Sequence, residues 1–173
     1  MSVDQRARAW RLFVETHGLV FGRLVDELKA ETGLPITWYD VLFQLQEVPG
    51  QRLRMRELAD AVVITKSGLT TLVDRMEEAG LLRREPPPND RRAIDVVLTE
   101  AGHRRFEEAN AVHWRGIQEH FIAYLDEAEG ELLARLLERV REANGAASRA
   151  SEAARRGRDS DGRSRARGPD RGR

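Results

Sequence analysis

The chain has 173 residues, enough for one domain with a real core and too few for two. Its 29 basic residues balance 29 acidic ones, and no apolar run approaches a membrane span, so an integral membrane protein is not expected. Cysteine is absent, which excludes disulfides, thiolate zinc sites, a cysteine nucleophile and cysteine-based peroxide sensing together. The start is charged from Asp4 to Arg11, unlike a secretory leader, and a cytoplasmic location is expected.

A first helix is expected from about Asp4 to Glu31. Trp10, Phe13, Val14, His17, Phe21, Leu24 and Leu28 fall on one of its faces, with Leu12 and Leu19 opposite. A helix apolar on two sides is one that is sandwiched, here between its own domain and a second subunit. The next helix opens at Thr37, with Asp40 three residues on in a near capping-box arrangement. It carries Trp38, Val41, Leu42 and Leu45 and stops at Pro49-Gly50.

From Arg52 to Gly102 the pattern is helix, turn, helix and two strands. Met55, Leu58, Ala59 and Val62 make one apolar face, and Leu69, Leu72, Val73 and Met76 repeat that spacing. Arg52, Arg54 and Arg56 form a solvated edge, and Arg54 is a poor cap for the helix it precedes. Thr65 is placed to cap the second of the two helices, and Gly80 ends it in the left-handed conformation. Its outward face carries Lys66, Ser67, Gly68, Thr70, Thr71 and Asp74, with Arg75 on the flank. The cation and hydroxyls lie early, whereas Asp74, Glu77 and Glu78 crowd the end. Such a helix suits entry into a major groove by its N-terminal end.

Leu81 to Glu85 then read as a strand, and Ile94, Val96 and Leu98 alternate in a half-buried one. Between them PPPNDRR makes a stiff tip that projects Arg91 and Arg92 towards a minor groove. Of Arg83 and Arg84, one faces solvent, and Arg84 is counted with the phosphate contacts. Thr99 caps a long helix with Glu100 in its first turn. A last helix from about Asp126 to Asn144 repeats Leu132, Leu133, Leu136, Leu137 and Val140, enough for a helix–helix seam. Residues 145–173 hold nine arginines against four acids and almost no apolar side chains. They are expected to be a disordered tail, serving solubility or adding sequence-independent phosphate contacts.

The pieces RELAD, SGLTTLVDRMEEAGLLRRE, NDRR and VLTEAG, in that order, resemble the MarR (multiple antibiotic resistance regulator) family from about Leu34 to Leu125. The resemblance implies a mainly α fold with a small β-wing: a winged helix-turn-helix lobe at about 34–100 and dimerisation helices at about 4–31 and 100–144. It implies that Lys66, Ser67, Gly68, Thr70 and Thr71 meet base edges and that Arg75 meets phosphate. The wing's Asp-x-Arg matches Asp90 and Arg92, the arginine entering the minor groove and the aspartate steadying basic side chains. It further implies a homodimer built on the first, fifth and last helices, and a pocket for phenolic or aromatic carboxylate effectors. Trp10, Phe13, His17, Trp38, Tyr39, Leu42, His113 and Ile117 are candidates to line that pocket, and core packing is the alternative for each.

The expected function is sequence-specific binding of double-stranded DNA at an imperfect palindrome, as a dimeric repressor released by a small effector. The alternatives are an activator, or a winged-helix adaptor that docks protein instead of DNA. No metal or other cofactor is expected. His113 and His120 are seven residues apart, ~10 Å along a helix, too far to converge on one ion. No enzyme is expected either, since the chain has no glycine-rich phosphate loop, no Ser/His/Asp spacing and no carboxylate pair in an apolar setting.

Overall fold

The computed structural model describes residues 4–62, 66–86 and 93–145, with the side chains of Lys66 and Ser67 outside that description. Three expectations therefore fall outside it: the Thr65 cap, the Asp90–Arg92 tip and the arginine-rich tail. The chain divides into two units, one ending at Tyr124 and the other beginning at Leu125.

Asp4 starts the first unit by accepting a hydrogen bond from the Arg6 N–H (3.0 Å), and α1 (Gln5–Thr32) follows. It stops where Gly33 takes φ 69° and returns its N–H to the Lys29 carbonyl. Only Leu24 and Leu28 of α1 are buried, and residues 5–19 are exposed throughout. Both apolar stripes of this outer half thus stand uncovered within one chain.

The second helix, α2 (Ile36–Gln46), corrects the expected cap. Pro35 holds the N-cap position with no side-chain cap bond, and Thr37 lies inside the helix. Proline suits a helix start because its φ is preset and no N–H is required there. Its carbonyl accepts from the Trp38 and Tyr39 amides. Tyr39, Val41, Leu42 and Leu45 are buried, and a 3-10 turn at Pro49–Gln51 follows.

A strand that was not expected then runs along the solvated edge. β1 (Arg52–Arg54) pairs antiparallel with β3 (Asp95–Leu98), which also pairs with β2 (Leu82–Glu85), giving the order β1-β3-β2. Flanked on both edges, β3 is buried at all four residues, and the expected alternation through Ile94, which is 48% exposed, does not hold. Arg54 still begins α3 (Met55–Ala61), because the Glu57 carboxylate accepts from the Arg54 amide (3.0 Å).

Leu69, Val73 and Met76 of α4 (Lys66–Glu78) are fully buried against Leu58 of α3 and Val96 of β3 within the single core. The helix closes with a paired bond: Gly80, at φ 74°, donates to the Glu77 carbonyl and Leu81 to that of Met76. Thr99 caps α5 (Glu100–His120) by accepting from the Gly102 N–H (3.0 Å), while its hydroxyl reaches the Gly80 carbonyl at 2.7 Å. Gly102 is required there, since a Cβ would stand 2.1 Å from the Leu81 carbonyl oxygen. α5 runs back along α1 and α2 and ends in a 3-10 turn at Ile122–Tyr124.

In the second unit, α6 (127–145) is helical. Asp126 and Glu129 cap it reciprocally, each carboxylate accepting the other's amide at 2.8 and 3.0 Å. Leu132, Leu136, Leu137 and Val140 are exposed. Among the described residues, no helix is long and apolar enough to cross a membrane. The mainly helical fold with a small antiparallel sheet is the one expected.

Candidate nucleic-acid interface and ligand cleft

Burial of Leu69, Val73 and Met76 fixes which side α4 turns outward. Thr70, Thr71, Asp74 and Arg75 are exposed there, and Gly68 is half-buried. Arg75 has no ion-pair partner among the described residues. The acids towards the end of α4 are partly neutralised from the wing. Arg84 of β2 places its guanidinium 2.6 Å from Asp74 and 2.5 Å from Glu77, and its amide donates to Glu77 at 2.7 Å. Burial works against the Arg84 charge, but the hydrogen bonds and charges of Asp74 and Glu77 outweigh it and hold its pKa above the ordinary value. Its side chain is 22% exposed. Arg84 was expected among the phosphate contacts; its guanidinium is instead committed to two carboxylates and ties α4 to the wing.

A second charge network braces the wing's far edge. Arg52 lies 2.7 Å from Glu85 and 3.9 Å from Asp95, and Arg83 reaches Glu85 at 2.5 Å. The Arg83 hydrogen bond, with the charges of Arg83 and Arg52 beside it, holds the Glu85 carboxyl below its ordinary range. Asp95 is 6% exposed, and one of its carboxylate oxygens has no hydrogen-bond partner. Arg52 is therefore an ion-pair residue of the sheet whose side chain stays 37% exposed, and Arg54 and Arg56 are exposed, as expected of a solvated edge.

A separate cleft of about 680 Å³ opens between α2 and α5, with Phe21 of α1 at one side. Ile36, Thr37, Tyr39, Asp40, Phe43 and Gln44 line it from α2, and Asn110, His113, Trp114 and Ile117 from α5. The Tyr39 hydroxyl donates to Asn110 at 2.8 Å, and its ring lies 4.6 Å from that of His113. Burial, then the charges of Asp40 and Glu47, push the Tyr39 pKa up to about 12. Burial pulls His113 below the ordinary imidazole value, and its Nδ1 is buried without a hydrogen-bond partner. Asp40 has one polar contact, the Gln44 amide at 3.4 Å, and no cation faces it among the described residues.

Three of the eight residues expected to line a pocket do so: Tyr39, His113 and Ile117. Leu42 is fully buried in the core, and Trp38 packs against that core. Trp10, Phe13 and His17 form a ladder of rings along the uncovered half of α1, with Phe13–His17 centroids 6.4 Å apart; none of the three lines the cleft, but His17 stacks at 5.5 Å on Phe21, which does. The helical phase explains the difference, because Trp38 and Leu42 point one step round α2 from Tyr39 and Phe43. Asn110, Trp114 and Phe43 were legible in principle, lying three or four residues from lining neighbours. The other histidines have partners: His120 meets Glu27 at 2.6 Å, and His103 meets Gln46 at 3.0 Å. No cluster of three metal-ligating side chains occurs among the described residues.

The MarR family model matches residues 32–93, from the last residue of α1 to just before β3. The HTH-type transcriptional repressor MdtR of Bacillus subtilis (strain 168) is 34% identical over 77 residues, 44% of this chain and 49% of that protein. The chain thus matches about half the length of that repressor. The crystal structure of AbsC, a MarR family transcriptional regulator from Streptomyces coelicolor, superposes with a TM-score of 0.75 at 34% identity, covering 82% of this chain and 95% of AbsC. Sco3205, a MarR family regulator of the same organism solved in complex with DNA, superposes with a TM-score of 0.74 at 29% identity, covering 83% of this chain and 90% of Sco3205. With 34% identity over 95% of AbsC, the chain belongs to the MarR family.

Proposed function

We propose that the chain is a DNA-binding transcriptional regulator, a homodimeric repressor that leaves an imperfect palindrome when a small aromatic effector enters the α2–α5 cleft. The observation that carries this reading is the α4 face, where Thr70, Thr71 and Arg75 are exposed and Asp74 and Glu77 are held by Arg84. Similarity to Sco3205, solved with DNA, supports it. Lys66, Ser67, Gly68, Thr70 and Thr71 read the major groove in this account, Arg75 meets phosphate, and Asp90, Arg91 and Arg92 serve the minor groove.

The uncovered half of α1 and the exposed leucines of α6 support a second copy as their cover, since apolar faces of that extent on a free monomer would be unusual. Two lobes related by a two-fold axis would address successive major grooves, hence the palindrome. Such a role calls for no catalytic group, and an activity where DNA is found places the protein in the cytoplasm. The net charge of +5 on residues 145–173 would add contacts to any DNA sequence. Selection of bound duplexes from a random library tests the proposal. Enrichment of an inverted repeat, with half-sites about one helical turn apart, is expected. Failure to enrich any sequence over the starting pool would overturn it.

A further inference from the structure

The polar groups of the α2–α5 cleft carry information about the charge of what enters. Its walls are aromatic and aliphatic, from Tyr39, Phe43 and Trp114 among others. Among the described residues its one formal charge is the Asp40 carboxylate, and no lysine or arginine lines it. Asp40 is half-buried and, among the described residues, held only by the long contact to Gln44.

We infer that this cleft takes an aromatic amine, and that it discriminates against aromatic carboxylates. The inference rests on the proposed effector role of the cleft and names the ligand class for it. A protonated nitrogen finds in Asp40 a charge partner, and flat aromatic faces around it that also attract cations. A carboxylate brings a second negative charge into a site with no cation to receive it. It would lose its hydration without replacement, and the Asp40 field would repel it.

The test is a matched series with one ring system: 2-naphthylmethylamine, 2-naphthol and 2-naphthoate, titrated by calorimetry against the full chain. DNA binding is measured on the same preparation. The amine is expected to bind at least about tenfold more tightly than the naphthoate, with the naphthol between them. In Asp40→Asn that preference should collapse, and in Asp40→Lys the order should reverse. The inference is overturned if naphthoate binds the parent as tightly as the amine, or if the ranking survives both substitutions. It is equally overturned if no member of the series binds a preparation that holds DNA. That last result leaves the DNA-binding proposal standing, so the two fail separately.

Discussion

Arg84 illustrates how one side chain can set the charge of a neighbouring helix face. Asp74 and Glu77 lie towards the end of the α4 helix, and with Arg84 between them their charge is offset from within the fold. Arg84→Ala should expose that negative charge to DNA phosphate and weaken binding by about tenfold. Anisotropy titrations of Arg84→Ala and of the triple variant with Asp74→Asn and Glu77→Gln separate two roles. If Arg84 acts through the acids, the triple variant regains most of the lost affinity; if Arg84 contacts phosphate itself, no recovery follows. His113 yields a pH prediction. Its folded pKa lies below the ordinary 6.5, so the unfolded chain binds the extra proton more readily. The neutral ring's contribution to stability is therefore complete above pH 6.5 and is lost as the pH falls from there towards the folded value. As the pH is lowered through this range the melting temperature of the parent should fall further than that of His113→Phe. Equal falls in both proteins would contradict the assignment.

Elements in this fold are joined at a few tight points, and Gly102 is the tightest. The first turn of α5 meets the carbonyl of Leu81 so closely that a single methyl group would stand 2.1 Å from it. Gly102→Ala must push α5 away from the α4–β2 corner, at a cost of about 1–3 kcal/mol in chemical denaturation, whereas Gly130→Ala, with open space around it, should be close to neutral. Comparable stability of the two variants would refute the contact. What could be foreseen along the chain follows from range. The spans of α1, α3 and α4, the Gly80 terminus and the Thr99 cap depend on residues within a turn or two, and each is written locally. β1 could not be foreseen, because three residues become a strand only through pairing with Val97, Val96 and Asp95, more than forty positions away. That unforeseen edge is also why β3 is buried on both sides and why Arg52 is an ion-pair residue. The cleft was half legible: Tyr39, His113 and Ile117 were named, but the phase of α2 against α5, which decides Phe43 over Leu42, is a property of packing.

At the scale of the whole molecule, the charged and apolar surfaces have different addresses. The exposed aromatic ladder of α1 and the leucines of α6 suit a second copy of the chain, and the α4 face suits a polyanion. The cleft lies between the helix that precedes the winged lobe's sheet and the one that returns from it. A ligand held there can alter DNA affinity only by preferring one arrangement of those helices over another. DNA recognition is tested most directly by the salt dependence of binding to a selected palindromic duplex, followed by anisotropy from low to high salt. Binding should saturate at two chains per duplex, with a log–log slope of about −5 or steeper as several phosphates release their counterions. Binding indifferent to salt, or no saturable binding to any selected duplex, would contradict it.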